Sequence, residues 1–311
     1  MTKNDCLAEF QSQIAFDHLR LTDYPNIILL CGGEVKSGSR PKSLRHKLLD
    51  EIAVKRPDLR TRISLAEEVF DQFDHTSYSN LLSFEKDLAN FCSLTIVIAE
   101  SAGSIAELGA FSVLQNVSEK IVVIIEHNHY NQKSFIRRGP VEFIKSVDDG
   151  RVLSYKLINN QNRMTNKLFK KFSDDLISDI DTLSSSISKE PTFDPNNSGH
   201  IMLLITGLIG VGQLLKFDEL GNALETWNIK VRRRELKNYL SMLLSLSFIR
   251  MTRYSSYDYY MKTYNGRCVR WSFAEDVELQ DIERWADKFR RYYKSADKKR
   301  FNAIKSVYEN V

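Results

Sequence analysis

Cysteine is scarce in this chain of 311 residues and is not arranged in pairs. The four cysteines, Cys6, Cys31, Cys92 and Cys268, are separated by long and irregular intervals. Such spacing argues against the disulfide framework of small secreted domains and against the paired ligands of a zinc site. We therefore expect no metal centre, and we expect buried thiols in a protein of the reducing cytoplasm.

A hydrophobic run long enough to cross a bilayer is also missing. The nearest candidate, 200–215, is too short and is interrupted by Gly207, Gly210 and Gly212, so we expect a buried helix there. The first twenty residues contain acidic side chains and no apolar core segment, which is not the pattern of a secretory signal. The sequence therefore predicts no membrane association.

Net charge is low at +4, but basic residues are concentrated in the C-terminal third. The chain length and its hydrophobic content of 42% predict a substantial core and two domains. Nothing in the composition indicates a disordered or fibrous protein.

Short apolar runs alternate with helical patterns through the first part of the chain. After an N-terminal helix within 1–24, predicted strands cover 27–30, 62–65, 94–99, 120–125 and 152–157. This alternation predicts an α/β domain over 25–187, with five parallel strands in a flavodoxin-like sheet. The amphipathic segment 160–187 is predicted to be one connecting helix.

A polar segment, 188–199, predicts a linker to a second, smaller domain at 200–311. Three helices are predicted there, at 200–215, 217–227 and 231–248, followed by a hairpin with strands at 249–254 and 257–264. This is the order of a winged helix-turn-helix domain, and a basic C-terminal helix follows it.

The second domain carries exposed-looking cations and tyrosines that suit nucleic acid. At the start of the third helix these are Arg232, Arg233, Arg234 and Lys237. On the wing they are Tyr254, Tyr257, Tyr259 and Tyr260. The final helix carries Arg284, Lys288, Arg290, Arg291, Lys294, Lys298, Lys299 and Arg300. The alternative is a winged helix that docks on protein and whose charges are merely solvated.

The stretch from Leu94 to Phe111 is predicted to form a buried strand, a turn and a helix that begins near Ser104. Ligands of open α/β sheets bind outside the carboxyl ends of the strands, so Glu107 should face a crevice. The helix N-terminus would keep Glu107 ionised, and an ionised carboxylate can stabilise or attack a cationic sugar carbon. The simpler alternative is a capping box formed by Ser104 and Glu107.

Other candidate substrate-binding residues follow the same strands. They are Cys31, Gly32 and Gly33 after the first strand, Glu67 after the second, and Ser101, Gly103 and Ser104 after the third. The loop 37–40 could extend the first turn. Glu67 could instead lie at a solvated helix start, and Glu85 is expected at the surface although it could reach the pocket.

Glu100-Ser101-Ala102-Gly103-Ser104 and Glu107-Leu108-Gly109-Ala110 resemble the nucleoside deoxyribosyltransferase motif, in which a Gly-Thr pair precedes the catalytic glutamate. Together with Leu30-Cys31-Gly32-Gly33, they resemble retron-associated effector toxins more closely. Two positions depart from the transferase pattern: Ser101 stands where an aspartate is usual, and Ser104 where a threonine is usual.

The resemblance implies an N-glycosidase domain followed by a winged-helix DNA-binding domain. It implies a toxin of anti-phage defence that cleaves a nucleotide, for which we choose NAD as substrate, with no cofactor. Its implied partners are the retron reverse transcriptase and its multicopy single-stranded DNA and RNA (msDNA/msRNA). Whether the chain forms a homo-oligomer or a higher assembly is left open.

Two further functions remain open from the residues alone. One is a nucleotide-sensing winged-helix transcriptional regulator without turnover, which the basic third helix fits equally well. The other is a nucleoside deoxyribosyltransferase of salvage metabolism, which Ser101 and the basic second domain both weaken.

Overall fold

A computed structural model describes residues 5–36, 38, 41–71, 78–159, 164–186 and 190–308. The predicted loop at 37–40 lies mostly outside these residues. The chain divides into two compact units. One, here called the sheet unit, comprises 25–71 and 80–188, and the other, the helical unit, comprises 1–24, 72–79 and 189–311.

The chain begins with α1 (Cys6–Ser12) and β1 (Arg20–Thr22), which belong to the helical unit. The sheet unit then supplies five parallel strands: β2 (Ile28–Cys31), β3 (Ile63–Ser64), β4 (Leu94–Ile98), β5 (Ile121–Glu126) and β6 (Val152–Tyr155). Their order across the sheet is β3-β2-β4-β5-β6, which is the flavodoxin-like order. The predicted α/β class and all five predicted strands are confirmed.

The strands are apolar because helices cover both faces of the sheet. Every residue of β2, β4 and β5 is buried. The flanking helices are α2 (Leu44–Lys55), α3 (Pro57–Arg60), α4 (Ala66–Asp71), α5 (Leu81–Phe91), α6 (Ala102–Ser112), α7 (Gln115–Ser118), α8 (His127–Tyr130), α9 (Glu142–Val147), α10 (Asn166–Phe169) and α11 (Ser173–Ser185). One core joins Ile28, Ile96 and Val122 of the strands to Leu176 and Ile180 of α11.

The prediction of one connecting helix over 160–187 is wrong. The described part of this segment forms two helices, α10 and α11, which are separated at 170–172. Phe169 and Phe172 turn inward at this break, and their rings pack edge to face at 5.6 Å. Burying both rings breaks the helix that the amphipathic spacing alone predicts.

The rest of the helical unit contains α12 (Ser198–Gly212), α13 (Phe217–Thr226), α14 (Arg233–Ser245), β7 (Ile249–Tyr254), β8 (Tyr257–Lys262), β9 (Cys268–Arg270), α15 (Ile282–Ala296) and α16 (Lys298–Tyr308). The three predicted helices and the predicted antiparallel hairpin, β7 with β8, are present. The final basic segment forms two helices rather than one, and Asp297 separates them.

Both ends of the chain build the helical unit. Strand β1 pairs antiparallel with β9. Phe10 of α1 is fully buried among aromatic rings. Its ring centre lies 5.1 Å from that of Trp271 and 5.3 Å from that of Trp285. The described part of the predicted linker is also packed here, since the Leu21 N–H donates to the Pro191 carbonyl at 3.0 Å.

None of the helices in the described ranges is long and apolar enough to cross a membrane. The longest apolar helix, α12, is instead buried along nearly its whole length inside the helical unit. All four cysteines are buried as free thiols.

Candidate functional site

Glu107 lies on the second turn of α6, at the carboxyl ends of the strands. The helix begins at Ala102, and Ser101 is its N-cap. The Ser104 N–H donates to the Ser101 hydroxyl and the Ser101 N–H donates to the Ser104 hydroxyl, both at 3.1 Å. The predicted capping box of Ser104 with Glu107 is therefore wrong, and the Glu107 carboxylate takes no part in capping.

One oxygen of the Glu107 carboxylate, Oε2, is buried and has no hydrogen-bond partner among the described residues. Burial raises the pKa of Glu107, whereas a hydrogen bond with Cys31 and the charge of Arg45 act to lower it. The prediction that the helix N-terminus keeps Glu107 ionised missed this opposing effect of burial. A buried oxygen without a partner costs about 1–3 kcal/mol, which favours a functional reason for its position.

Cys31 ends β2 and is almost completely buried beside Glu107. Burial, followed by the nearby Glu107 and Glu85 carboxylates, raises the pKa of the Cys31 thiol well above its usual range. The thiol is therefore neutral at physiological pH and can donate a hydrogen bond to Glu107.

Glu85 of α5 is the second carboxylate of the site, and only 8% of it is exposed. Burial, followed by the charges of Glu107 and Glu67, raises the pKa of Glu85 to about 7. The expectation of a surface position is wrong. Glu85 follows the buried Phe84 and precedes Leu88 by three residues, so it lies at the margin of the apolar face of α5.

Arg45 supplies the positive charge of the site, and the sequence reading missed it. Its guanidinium donates to both carboxylate oxygens of Glu67, at 2.5 and 3.3 Å, and its Nε donates to the Gly33 carbonyl at 2.7 Å. Arg45 is buried, while the Glu67 side chain is about half exposed. This fork holds Glu67 at the carboxyl end of β3.

The glycine turn after β2 is closed by a carboxylate of the protein itself. The backbone N–H groups of Gly33, Leu44 and Arg45 donate to Glu100 at 2.9, 2.6 and 2.9 Å. A Cβ at Gly32 would lie 2.8 Å from Arg45 Cβ, and one at Gly33 would lie 2.7 Å from Ser43 Cβ. The turn needs glycine because Arg45, Ser43 and Glu100 pack against it, and the Gly33 N–H is already used.

Ser101, Ser104 and Gly103 surround the start of α6. The two hydroxyls lie 3.0 Å apart and are engaged in the cap. Gly103 is exposed, and a Cβ there would meet only the Ser101 hydroxyl, at 3.9 Å. The protein's own packing therefore does not require Gly103 to be glycine.

The site thus combines Glu107, Glu85 and Glu67 with Arg45 and a neutral thiol. Across the described ranges, no group of three or more histidine, cysteine, aspartate or glutamate side chains is placed to hold a metal ion. A carboxylate without an ion-pair partner next to a carboxyl group of raised pKa can stabilise positive charge and supply a proton.

In the helical unit, four predicted nucleic-acid residues at the start of α14 are exposed: Arg232, Arg233, Arg234 and Lys237. Arg232 pairs with Glu235 at 2.7 Å, and Arg233 pairs with Asp218 at 2.6 Å. Exposed pairs of this kind are weak and can be exchanged for phosphate contacts.

The wing and the C-terminal helices fit the prediction in part. Tyr257 is 42% exposed, but Tyr259 is fully buried and cannot stack on a base. Arg290 and Arg291 of α15 are exposed. Arg300 is buried, where it pairs with Glu219 and Asp297, so its inclusion among the exposed cations is wrong.

Two proteins of Escherichia coli retrons are similar to this chain. The chain is 24% identical over 302 residues to the retron Ec73 protein of Escherichia coli, named as a candidate ribosyltransferase and DNA-binding protein; the match covers 91% of this chain and 88% of that protein. A retron Ec86 protein of the same name and organism is 35% identical over 127 residues, which are 40% of this chain and 39% of that protein.

A family model described as the STM3845 retron effector protein matches residues 41–251, which is more than half of the chain. The match includes Arg45, Glu67, Glu85, Glu100 and Glu107 of the sheet unit as well as the arginines that begin α14. The chain belongs to the STM3845 retron effector family.

Proposed function

We propose that this retron effector cleaves the N-glycosidic bond of a nucleotide, with NAD as its substrate and Glu107 as the catalytic carboxylate. The observation that carries the proposal is the buried Glu107 oxygen without a partner at the carboxyl ends of the strands. The ribosyltransferase name of the two relatives agrees with chemistry at a sugar carbon.

The step needs little from the protein when the base is nicotinamide. The bond between C1′ and the ring nitrogen breaks, its electron pair goes to that nitrogen, and the positively charged ring leaves as neutral nicotinamide. Glu107 stabilises or captures the cationic C1′, and water then adds to C1′ and loses a proton.

An ordinary nucleoside makes a further demand, because its base leaves with negative charge and requires a proton. Glu85, with a pKa of about 7, is still partly protonated near neutral pH and can supply such a proton. We therefore assign Glu85 as the proton donor for any nucleoside substrate and as dispensable for the departure of nicotinamide.

The direct test uses the purified full chain with NAD, purine nucleosides and pyrimidine nucleosides, and follows the released base by chromatography. Release of nicotinamide that disappears in Glu107→Gln is the expected result. Glu142→Gln, which changes a carboxylate on α9, is the matched control and should keep full activity. Full NAD cleavage by Glu107→Gln would show that Glu107 is not the catalytic group.

For the biological role, we propose a toxin of anti-phage defence that is restrained by the retron reverse transcriptase and its msDNA. The exposed arginines of α14 would contact phosphates of this nucleic acid, and infection would release the glycosidase. Co-purification of the chain with reverse transcriptase and msDNA, lost when Arg232, Arg233 and Arg234 are replaced by alanine, is the expected result.

The same arginines also suit a nucleotide-sensing transcriptional regulator, which is the second candidate. Such a regulator would bind a specific duplex and would release no base from any nucleotide. The base-release assay therefore separates the two functions.

A further inference from the structure

The exposed tyrosine of the wing, Tyr257, lies close to two ammonium groups, one from the N-cap residue of α13 and one from α16. The Lys216 Nζ, just before α13, lies 3.9 Å from the centre of the Tyr257 ring. The Lys299 Nζ of α16 lies 5.7 Å from the same centre. Tyr257 is nevertheless 42% exposed, so the side chain keeps surface that a ligand can reach.

Neither ammonium is neutralised by a carboxylate within the part of the chain that the structure describes. The nearby acidic residues are already engaged. Arg300 pairs with Glu219 and with Asp297, while Asp258 lies 3.8 Å from Arg253. The surface around Tyr257 therefore keeps a net positive charge.

A rigid support lies under this surface. Tyr259, two residues along β8, is fully buried, and its ring centre is 6.3 Å from that of Tyr257. The buried Arg300 lies 5.5 Å from the Tyr259 ring and 4.5 Å from the Tyr293 ring. The hairpin is thereby fixed to α15 and α16, and little ordering is needed before Tyr257 binds a ligand.

We propose that Lys216, Tyr257 and Lys299 form a subsite for one unpaired nucleotide of a single-stranded nucleic acid. The base stacks on the exposed part of the Tyr257 ring, and the two ammonium groups contact the phosphates on its sides. A base inside a duplex is already stacked on its neighbours and cannot lie on the ring. The subsite therefore favours single strands, whereas the arginines of α14 contact phosphates and do not distinguish single strands from duplexes.

This inference deepens the proposed nucleic-acid role of the helical unit and is tested separately from it. Fluorescence anisotropy would compare a labelled oligothymidylate with a blunt duplex of equal length, using the full chain. Tyr257→Ala should weaken oligothymidylate binding about 5- to 150-fold and leave duplex binding nearly unchanged. Tyr257→Phe, which keeps the ring, should bind as the unaltered chain does.

Charge at the subsite has its own measurement. Replacing Lys216 and Lys299 together with glutamine should reduce the slope of log affinity against log salt by about 1.4 for oligothymidylate, since each phosphate contact on a single strand contributes about 0.7. Lys133→Gln, which removes one exposed lysine of the sheet unit, is the control and should leave the slope unchanged.

A third measurement needs no substitution. Oligothymidylate should protect Lys216 and Lys299 of the unaltered chain from an amine-reactive reagent, as read by mass spectrometry. Equal loss of duplex and single-strand binding in Tyr257→Ala, or no protection of the two lysines, would overturn the subsite. A chain that binds neither oligonucleotide would overturn the nucleic-acid role as well.

Discussion

Glu100 and Glu107 both follow β4, but the hydrogen bonding of their two carboxylates is opposite. Glu100 accepts three backbone N–H groups at 2.6–2.9 Å and closes the turn after β2. Glu107 has a buried oxygen without a partner within the described ranges, and burial raises its pKa. Glu100 is thus part of the structure of the turn, whereas the fold supplies no partner for Oε2 of Glu107 among the described residues.

The comparison shows what distinguishes a structural carboxylate from a candidate catalytic one. Hydrogen bonds from backbone amides stabilise the charged form of a carboxylate and use its lone pairs. Burial without such bonds leaves the lone pairs available and makes the group costly to the fold. Replacing each glutamate by glutamine, and measuring both stability and activity, therefore tests this distinction.

The largest effect is expected for Glu107→Gln on catalysis. The amide cannot stabilise or capture a cationic C1′, so nicotinamide release from NAD should fall by on the order of 10⁴-fold. Because the substitution removes a costly buried charge, the melting temperature should stay equal or rise. A large fall in melting temperature would instead indicate that Glu107 is structural.

The next effect concerns Glu100→Gln. The amide nitrogen would face backbone N–H donors that now meet a carboxylate, so the free energy of unfolding should fall by about 3–5 kcal/mol. Urea unfolding measured at pH 7 would show it as a lower midpoint. An unchanged midpoint together with lost activity would show that Glu100 takes part in catalysis and is not a purely structural carboxylate.

Glu85→Gln should stabilise the protein in a pH-dependent way. The folded-state pKa of about 7 lies above the usual value of 4.5, so folded Glu85 keeps its proton where unfolded Glu85 loses it. Stability therefore falls as pH rises from about 4.5 to about 7, and the full free-energy cost of ionising the buried Glu85 is present above that window. Glu85→Gln should raise the free energy of unfolding by about 2–3 kcal/mol at pH 8 and change little at pH 4.

The same variant sharpens the substrate assignment. Glu85→Gln should keep nicotinamide release from NAD and lose base release from ordinary nucleosides. Loss of both activities would show that Glu85 acts on the sugar or on Glu107 rather than on the leaving base.

The smallest effect is expected for Ser101→Ala. The hydroxyl of Ser101 caps α6 and its loss should lower the free energy of unfolding by about 1 kcal/mol. Glu107 lies on the same helix, so a matched measurement of base release shows whether the cap also positions it. Ser112→Ala, at the other end of α6, serves as the control.

Much of the sheet unit could be predicted from sequence because buried parallel strands have a simple signature. The five apolar runs gave the strands, and the connection rules gave their order. The position of Glu107 after β4 followed from the same reasoning. Helix starts were harder, since Ser101 and Ser104 are both good N-cap residues and only the backbone decides between them.

The contacts of Arg45 could not be predicted because they join segments that are distant in the sequence. Arg45 and Glu67 are 22 residues apart, and Glu100 lies 55 residues from Arg45. Arg45 lies between Leu44 and His46 at the start of α2, where a cation would be expected to point outward. The only sign of a buried cation was the presence of the acidic residues Glu67, after β3, and Glu100, after β4.

Residues 5–24 fold with residues 190–308, so the sheet unit is inserted into the helical unit. This order has a consequence for synthesis on the ribosome. The sheet unit is complete when residue 188 has been made, whereas the helical unit must wait for the last helices of the chain. At about 5–20 residues per second, the interval lasts on the order of ten seconds. A newly made effector thus has its candidate catalytic unit before it has the unit that would hold nucleic acid, and any restraint through that unit can begin only after α15 and α16 have been made.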